Sequence, residues 1–195
     1  MIITLLSYKG GTGKTTSAVH IAGCLNTKAP TLLIDGDLNR SAIEWAQRGS
    51  LPFEVVDKEQ AAMYAGKFRH IVIDTAARPD RKALKAIAGG CDRLIITTGA
   101  DALSMAALKP AIADLQDLGA DYRILLSLIP PVGFAGELAR ETITDAGLPI
   151  CKTSIRRYAA FQRAALDGCL VCDVKDDHAA DGWQDYQELT KEILK

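Results

Sequence analysis

Nearly continuous apolar runs alternate with longer amphipathic segments from one end of the chain to the other. The runs are short, as is typical of buried strands, and the segments between them place apolar residues at helical spacing. Strands that are apolar on both faces are typical of a parallel sheet covered by helices on each side. The pattern therefore predicts an α/β fold with a doubly wound, mainly parallel sheet flanked by helices. It predicts strands at residues 2–6, 31–35, 53–56, 70–74, 93–97, 122–129 and 169–173, an extended segment at 150–153, and helices at 17–25, 41–48, 58–67, 81–88, 103–118, 136–146, 158–166 and 183–194.

Length and composition limit the domain organisation and the class of protein. With 195 residues, 48% of them hydrophobic, the chain can fill one core, and we expect a single domain over residues 1–195. No apolar run approaches the roughly 20 residues that span a bilayer, and the first run is typical of a strand, so we expect a cytoplasmic protein. The five cysteines are an odd number, which favours thiols over a disulfide framework. A net charge of −1 means that any DNA binding has to come from a local basic patch.

A stretch rich in glycine and lysine separates the first predicted strand from the first predicted helix. Glycines let the backbone N–H groups surround an anion, and the start of the helix adds a favourable dipole. In such a loop Lys14 reaches the β- and γ-phosphates of a nucleotide, and the Thr15 hydroxyl contacts Mg²⁺. The general phosphate-loop pattern has glycine where this chain has Tyr8, and a second lysine, Lys9, follows it. We therefore predict a nucleotide site at Lys9, Gly10, Gly11, Thr12, Gly13, Lys14, Thr15 and Thr16.

Carboxylates follow two other predicted strands. Asp35 and Asp37 come at the end of the second strand, and Asp74 ends the apolar run that begins at residue 70 and is typical of a Walker B strand. Ligands of doubly wound sheets bind beyond the carboxyl ends of the strands, and Mg²⁺ is held mainly by oxygen atoms and water. We therefore predict that the Asp74 carboxylate helps to hold a Mg²⁺ ion. Asp37 has an alternative interpretation as the cap of the helix near Ser41, which Asn39 or Ser41 itself could also cap.

The eight residues from Lys9 to Thr16 resemble the deviant Walker A box of the ParA/MinD family of ATPases, and the resemblance extends over nearly the whole chain. It implies a slow ATPase that uses ATP and Mg²⁺ and forms a homodimer around two nucleotides. It also implies that Lys9 reaches the nucleotide of the partner subunit, whereas an ordinary phosphate loop would leave Lys9 as a solvated surface lysine. By position, Asp37 matches the residue that orients the attacking water, and Asp35 lies nearer the metal. The implied catalytic residues are Lys9, Lys14 and Asp37, and the implied metal site contains Thr15, Asp35 and Asp74.

The same resemblance indicates where the base and DNA would bind. The family places its adenine pocket near Ile129, Pro130 and Pro131, although the prolines could simply end the strand. DNA-binding members carry basic residues on the dimer surface in a region that is basic here as well. A few such cations give salt-sensitive, sequence-independent DNA binding, but the same residues could be solvated helix charges. The candidates in this chain are Lys152, Arg156, Arg157 and Arg163.

The resemblance is to the short, ParA-like members, which implies an ATP-dependent switch associated with the nucleoid. Such a switch binds nonspecific DNA in its ATP form and positions a plasmid, a chromosome or a protein organelle such as the carboxysome. A ParB-like or cargo adaptor protein would then stimulate hydrolysis. Two alternatives stay open. MinD-type relatives bind membranes through a C-terminal amphipathic helix, although the polar face of that helix here is acidic, with Asp185, Glu188 and Glu192, which argues against a membrane partner. Other relatives hold an iron–sulfur cluster on a cysteine pair, and Cys169 and Cys172 have that spacing.

Overall fold

A computed structural model of the chain describes residues 1–64 and 66–195. Its strands are β1 Ile2–Leu6, β2 Thr31–Gly36, β3 Glu54–Asp57, β4 His70–Thr75, β5 Arg93–Thr98 and β6 Tyr122–Leu126. The helices in the described part of the chain are α1 Lys14–Asn26, α2 Ser41–Arg48, α3 Arg81–Gly89, α4 Ala102–Asp117, α5 Ala135–Asp145, α6 Ala159–Asp167 and α7 Ala179–Ile193, with short 3₁₀ helices at Ala61–Tyr64 and Val171–Asp173. All strand pairs are parallel, and the order β3-β2-β4-β1-β5-β6 places β1 inside the sheet between β4 and β5. The predicted parallel α/β sheet is confirmed.

Alternate residues of the central strands pack on opposite faces of the sheet. Leu5 of β1 and Ile95 of β5 belong to a buried cluster that includes residues of α1, α2, α6 and α7. Their neighbours Leu6 and Ile96 belong to a second cluster that includes residues of α3, α4 and α5. Because side chains alternate at every second residue of a strand, apolar residues at consecutive positions require helices on both faces. The polar residues are thereby left at the ends of the strands, where a ligand can bind.

A buried histidine connects α1 to the last part of the chain. The backbone N–H of Val171 donates to Nε2 of His20 at 3.0 Å, so Nδ1 carries the proton and donates to the Thr16 carbonyl at 2.7 Å. The Tyr186 ring of α7 stacks on the imidazole with a centroid distance of 4.9 Å, and its hydroxyl lies 3.0 Å from that of Ser17. Burial lowers the pKa of His20 to about 4, so the ring is neutral at pH 7. These contacts fix α7 against the first turns of α1.

The helix predicted at residues 58–67 is wrong. Among the described residues of this segment there is only the 3₁₀ helix Ala61–Tyr64, and Ala65 lies outside them. None of the residues of the 3₁₀ helix is buried, so the segment has no apolar face on the core that would stabilise a longer helix. Gly66 has a φ of 76°, a left-handed conformation that does not continue a helix.

The strand predicted at residues 169–173 is also wrong. Gly168, with a φ of 67°, ends α6, and the chain then forms the 3₁₀ helix Val171–Asp173. Val171 is buried in the same cluster as α1, and its N–H binds His20 instead of a neighbouring strand. An apolar run of this length is compatible with either structure, and the packing against α1 decides between them.

The last strand is shorter than the predicted segment 122–129, and α7 begins at Ala179 instead of at residue 183. Strand β6 ends at Leu126 because Leu128 has a φ of 56°, which is outside the range of a strand. Ile129 then forms an isolated parallel bridge with Arg156, and Ile150 forms another with Ile124 of β6. The segment after α5 therefore follows the edge of the sheet without forming a seventh strand in the described chain.

We predict that acid destabilises the protein partly through His20. Its pKa is about 4 in the folded chain, whereas that of an unperturbed histidine, as in the unfolded chain, is 6.5. The unfolded chain therefore takes up the proton first as the pH falls. This residue alone should lower the free energy of unfolding by about 3 kcal/mol between pH 7 and pH 4. Urea unfolding of His20→Gln, whose amide can both donate and accept, should lack that part of the pH dependence. The exposed control His178→Gln should retain it, and an equal acid loss in both variants would contradict the prediction.

Candidate nucleotide-binding site

The loop that joins β1 to α1 is held in shape by two glycines and by neighbouring strands. Gly11 and Gly13 have φ angles of 76° and 75°, which other residues rarely adopt. Ser127, just beyond β6, donates its hydroxyl hydrogen to the Thr12 carbonyl at 2.6 Å. The Thr12 hydroxyl lies 3.1 Å from the hydroxyl of Thr97 in β5. These contacts fix the path of the loop into α1, and the N-terminus of that helix favours the binding of an anion.

Four of the predicted site residues meet at the beginning of α1. The Lys14 side chain is only 7% exposed, and its Nζ lies 2.5 Å from Oδ1 of Asp74 and 3.4 Å from Oδ2 of Asp37. The Thr15 hydroxyl donates to the other oxygen of Asp74 at 2.6 Å. The register of the sheet explains this meeting, since Asp74 is paired with Leu5 of β1 and the loop begins just beyond it. A cation, a hydroxyl and two carboxylates thus converge at one edge of the sheet.

The Asp74 carboxylate and the Thr15 hydroxyl are suited to a Mg²⁺ ion. Burial raises the pKa of the Asp74 carboxyl, and the Lys14 ammonium beside it opposes that shift. Mg²⁺ usually keeps several waters and takes one or two protein oxygens together with the phosphates of a substrate. Two oxygen groups beside a phosphate-binding loop fit that requirement. Over the described ranges, no group of three His, Cys, Asp or Glu residues is arranged to hold a metal ion by itself.

Asp35 binds backbone groups at the start of α2. One oxygen accepts hydrogen bonds from the N–H groups of Ala42 and Ile43 at 2.9 and 3.1 Å, and the other accepts from the N–H of Asp37 at 3.1 Å. Asp35, and not Asp37, therefore satisfies the first amides of α2. Asp37 in turn accepts from the N–H of Asn39 at 3.0 Å. The observed contacts give Asp35 a positioning role, and its contact with a metal ion stays a prediction.

Lys14, Thr15 and Asp37 line a cavity of about 400 Å³. Every loop residue from Gly10 to Thr16 lies on its wall, opposite residues of α2 and next to Ala77 beyond β4. A buried ammonium and the start of a helix on one wall are suited to a chain of phosphates. The other lining residues are Ser7, Asn39, Ser41, Glu44, Trp45, Arg48 and Ala165.

Lys9 lies on the other side of the loop from Lys14. Its Nζ donates to Oδ1 of Asp101 at 2.9 Å and to the hydroxyl of Ser104 at 3.2 Å, at the start of α4. These three residues line a second cavity of about 300 Å³, together with Pro130 and others. Within one protomer, the two lysines therefore serve different cavities.

A third cavity of about 440 Å³ opens beside Gly13 and Thr16 and has a largely apolar wall. Of the three residues predicted for the base, Ile129 is buried in the core cluster with α5, and Pro130 lines the cavity of Lys9. The third cavity is instead lined by Ser127, Leu128, Ile155, Arg156, Arg157, Tyr158, Phe161, Gln162, Ala165 and Tyr186.

The structure separates Arg156 from the other basic candidates. Its guanidinium makes hydrogen bonds of 2.8 to 3.2 Å to the Asp185 carboxylate of α7, and its backbone N–H donates to the same carboxylate at 3.0 Å. The Asp185 side chain is buried and the Arg156 side chain is 37% exposed, so the pair holds Arg156 against α7 at the surface. Lys152, Arg157 and Arg163 are exposed, and within the described chain none of the three forms an ion pair.

The features behind the two alternative functions have other roles in the fold. Tyr186, Leu189 and Ile193 of α7 are buried in the core, so the apolar face of this helix packs on its own protein. Among the residues that the structure describes, no helix is both long enough and apolar enough to cross a membrane. Cys169 is a thiol two residues before the 3₁₀ helix Val171–Asp173 and Cys172 is a thiol within it, and burial raises the pKa of each.

Several residues around the loop were not identified from the sequence. Asp101 and Ser104 lie beyond the end of β5, at the same edge as Asp74, so the strand-end rule could have found them. Asp185 lies 29 positions from Arg156 in sequence, and only the packing of α7 brings the two together. Leu128 carries no sequence signal, since its importance comes from a left-handed backbone.

One family model and several known proteins match the chain over most of its length. The model of the CobQ/CobB/MinD/ParA nucleotide binding domain matches residues 3–171. The chain is 32% identical over 202 residues to maintenance of carboxysome distribution protein A from Gloeobacter kilaueensis, which covers 98% of this chain and 93% of the relative. The structure of a plasmid partition protein from Borrelia burgdorferi B31 bound to AMPPNP matches with a TM-score of 0.77 and 18% identity. The match covers 99% of this chain and 98% of the Borrelia protein. The structure of the MinD cell division protein from Aquifex aeolicus matches with a TM-score of 0.75 and 15% identity, and the match covers 99% of this chain and 96% of the Aquifex protein. These two structures support the fold alone.

We predict that Lys14→Met destabilises the nucleotide-free protein. The change leaves the buried Asp74 carboxylate without its cation, which should lower the free energy of unfolding by about 3 kcal/mol. Adding Asp74→Asn should recover most of that loss, because the buried charge is then removed as well. Urea unfolding at pH 7 measures both effects, with the exposed Lys85→Met as a control that stays near the wild-type value. A Lys14→Met protein as stable as this control would contradict the prediction.

Proposed function

Because the chain belongs to the MinD/ParA family of nucleotide-binding proteins, we propose that it is a Mg²⁺-dependent ATPase that pairs on binding ATP and distributes a cargo within the cell. The observation that carries the proposal is the meeting of Lys14, Thr15, Asp37 and Asp74 beside a glycine loop at the start of α1. This arrangement brings a cation, oxygen ligands and a carboxylate together at one edge of the sheet. Phosphoryl transfer from ATP to water needs these groups.

In the proposed reaction, the loop N–H groups and Lys14 hold the β- and γ-phosphates. Thr15 and Asp74 hold Mg²⁺, which neutralises charge on the phosphate oxygens when it is bound. Asp37 lies within 3.4 Å of the Lys14 ammonium and orients the attacking water on the γ-phosphate side. Asp35 positions Asp37 through its hydrogen bond to the Asp37 N–H. The base occupies the 440 Å³ cavity beside Gly13.

Lys9 completes the site of a second copy in this proposal. Its position across the loop from Lys14 supports a role at a different nucleotide. A positive charge supplied in trans can accelerate phosphoryl transfer by about 10³- to 10⁵-fold, so an unpaired protomer would be slow. Leu103 and Phe134, which adjoin residues lining the Lys9 cavity, are 73% and 81% exposed, and a second copy would remove them from water. Pairing would then depend on ATP, and hydrolysis would end it.

The similarity to a carboxysome distribution protein favours a protein organelle as the cargo, with plasmid partition as the nearest alternative. In this scheme the ATP-bound dimer binds nonspecific DNA of the nucleoid in the cytoplasm. A cargo adaptor protein releases it by stimulating hydrolysis. Lys152, Arg157 and Arg163 are the DNA contacts that we propose, since Arg156 is neutralised by the buried Asp185.

We predict that Asp37→Ala binds ATP, fails to hydrolyse it and accumulates as a dimer, because the attacking water is no longer oriented. Size exclusion with light scattering, with and without ATP, measures the dimer, and phosphate release measures turnover. Asp57→Ala is the matched control, since Asp57 also ends a strand and accepts a backbone N–H but binds Arg40 instead of Lys14. A normal hydrolysis rate in Asp37→Ala, or a monomer with ATP, would contradict the assignment.

We predict that Lys152→Glu combined with Arg163→Glu weakens ATP-dependent binding to random-sequence DNA by at least about tenfold at moderate salt, because phosphate contacts are lost in both subunits. Fluorescence anisotropy with a labelled duplex measures the affinity. Lys82→Glu combined with Lys85→Glu makes the same charge change on the exposed surface of α3 and should have little effect. Equal losses in the two double variants would point to net charge instead of a defined contact.

A further inference from the structure

Two carboxylates of α7 hold the segment that joins α5 to α6. Glu192 accepts hydrogen bonds from the backbone N–H groups of Lys152 and Thr153, at 2.8 and 3.1 Å. Asp185 lies seven positions earlier on α7 and accepts the backbone N–H of Arg156 at 3.0 Å. Because seven residues make about two turns of a helix, both carboxylates lie on one side of α7, and that side fixes the segment at two points.

The Asp185 contact continues into the wall of a cavity. The carboxylate also accepts hydrogen bonds from Nε and Nη2 of Arg156, with distances of 2.8 to 3.2 Å. The guanidinium lies over the Tyr158 ring, with its Cζ atom 5.2 Å from the ring centroid. Arg156 and Tyr158 both line the 440 Å³ cavity beside Gly13. One carboxylate therefore fixes the backbone and the side chain of one wall residue and, through that side chain, the ring of a second.

The burial of Asp185 makes this contact persistent. A buried carboxylate is costly unless a cation and hydrogen bonds compensate for its desolvation, and Arg156 supplies both. The planar guanidinium can bind the carboxylate and lie flat on an aromatic ring at the same time, which a lysine ammonium cannot do. A wall that is fixed in advance loses less conformational entropy when a ligand binds, so it raises the affinity for the group that the cavity accepts.

We propose that Asp185 is a positioning residue that holds Arg156 and Tyr158 in the wall of the base cavity and so sets the affinity for the base of the nucleotide. The inference rests on the proposed function, in which the base occupies the 440 Å³ cavity. Asp185 acts through Arg156 and Tyr158, and Arg156 thereby has a role in nucleotide binding instead of DNA binding. The phosphates are held on the other side of Gly13, so their binding should not depend on Asp185.

The first variant to test is Asp185→Asn, which keeps an oxygen for the Arg156 N–H but carries no charge for the guanidinium. Glu188→Gln is the matched control, because it removes an exposed carboxylate of the same helix that accepts the Gln184 amide at 2.9 Å. ADP is the ligand, since in the proposed function it carries the base without causing pairing. Isothermal titration calorimetry with ADP and Mg²⁺ should show about tenfold weaker binding in Asp185→Asn and no change in Glu188→Gln. Loss of a charge-assisted hydrogen bond lowers the fraction of protein with the wall in place by about this factor.

A second variant, Arg156→Lys, changes the contact and leaves a cation beside the buried carboxylate. Its ammonium cannot keep both the paired hydrogen bonds and the contact with the ring, so ADP should again bind more weakly. Arg81→Lys is its control, because Arg81 forms exposed ion pairs with Asp114 and Asp117 on α4. If Arg156 served only as a positive charge for DNA, Arg156→Lys would bind ADP as tightly as this control.

A ligand without a base separates positioning of the wall from a general loss of structure. Pyrophosphate with Mg²⁺ is measured by its displacement of a fluorescent ADP analogue. Its affinity should be the same in Asp185→Asn and Arg156→Lys as in wild type, because it contacts the glycine loop and not the 440 Å³ cavity. A variant that had lost its fold would weaken the binding of both ligands.

The proposal is overturned if Asp185→Asn binds ADP as tightly as Glu188→Gln, or if Arg156→Lys binds it as tightly as Arg81→Lys. It is also overturned if the affinities for ADP and pyrophosphate fall by the same factor. These outcomes refute the role of Asp185 and leave the proposed function intact, provided that the wild-type protein binds ADP. A wild-type protein that binds neither ADP nor pyrophosphate would refute the proposed function and this inference together.

Discussion

The structure depends on a buried ammonium, that of Lys14, held between two carboxylates at the ends of neighbouring strands. A charge at a position that is only 7% exposed is costly unless it is paired, and Asp74 and Asp37 supply the pairing before any ligand is present. The folded chain thereby places Lys14 where it would contact the phosphates of a bound nucleotide. In the proposed reaction the phosphate oxygens replace the carboxylates around Lys14, and Asp74 becomes available to Mg²⁺.

The sheet divides the chemistry around the glycine loop into two sides. Strands β2 and β4 bring Asp37 and Asp74 to the side of Lys14, while the segments after β5 and β6 supply Asp101, Ser104 and Pro130 to the side of Lys9. Because β1 lies between β4 and β5, its loop borders both groups. This division is the physical reason for proposing that a second copy is needed to bring a Lys9 to a nucleotide bound at Lys14. Behind the loop, the contact between His20 and Tyr186 fixes α1, the helix that follows the loop, against α7.

The sequence allowed the sheet and the meeting of Lys14, Thr15 and the strand-end aspartates to be predicted, and the reasons are local. Each apolar run, the glycines of the loop and the aspartates at the strand ends are short-range patterns, and the parallel register then brings Asp74 beside Leu5. What could not be predicted depends on packing between distant segments. The run at residues 169–173 forms a 3₁₀ helix because α1 covers it, and the ion pair of Arg156 could not be predicted because its partner Asp185 lies on a later helix. Asp35 shows the remaining limit, since a carboxylate at a strand end can serve the helix beside it as well as a metal ion.

In the proposed dimer, each ATP-binding site is completed by the Lys9 amino group of the partner subunit. This claim is tested most directly by mixing two inactive variants, Lys9→Ala and Asp37→Ala, and measuring ATP hydrolysis. In a mixed dimer the Lys9→Ala protomer keeps its own Asp37 and receives Lys9 from its partner, so one site is complete. The account predicts that the mixture hydrolyses ATP although neither variant does so alone. A mixture that stays as inactive as its two components, while the two variants are shown to form mixed dimers, would contradict it.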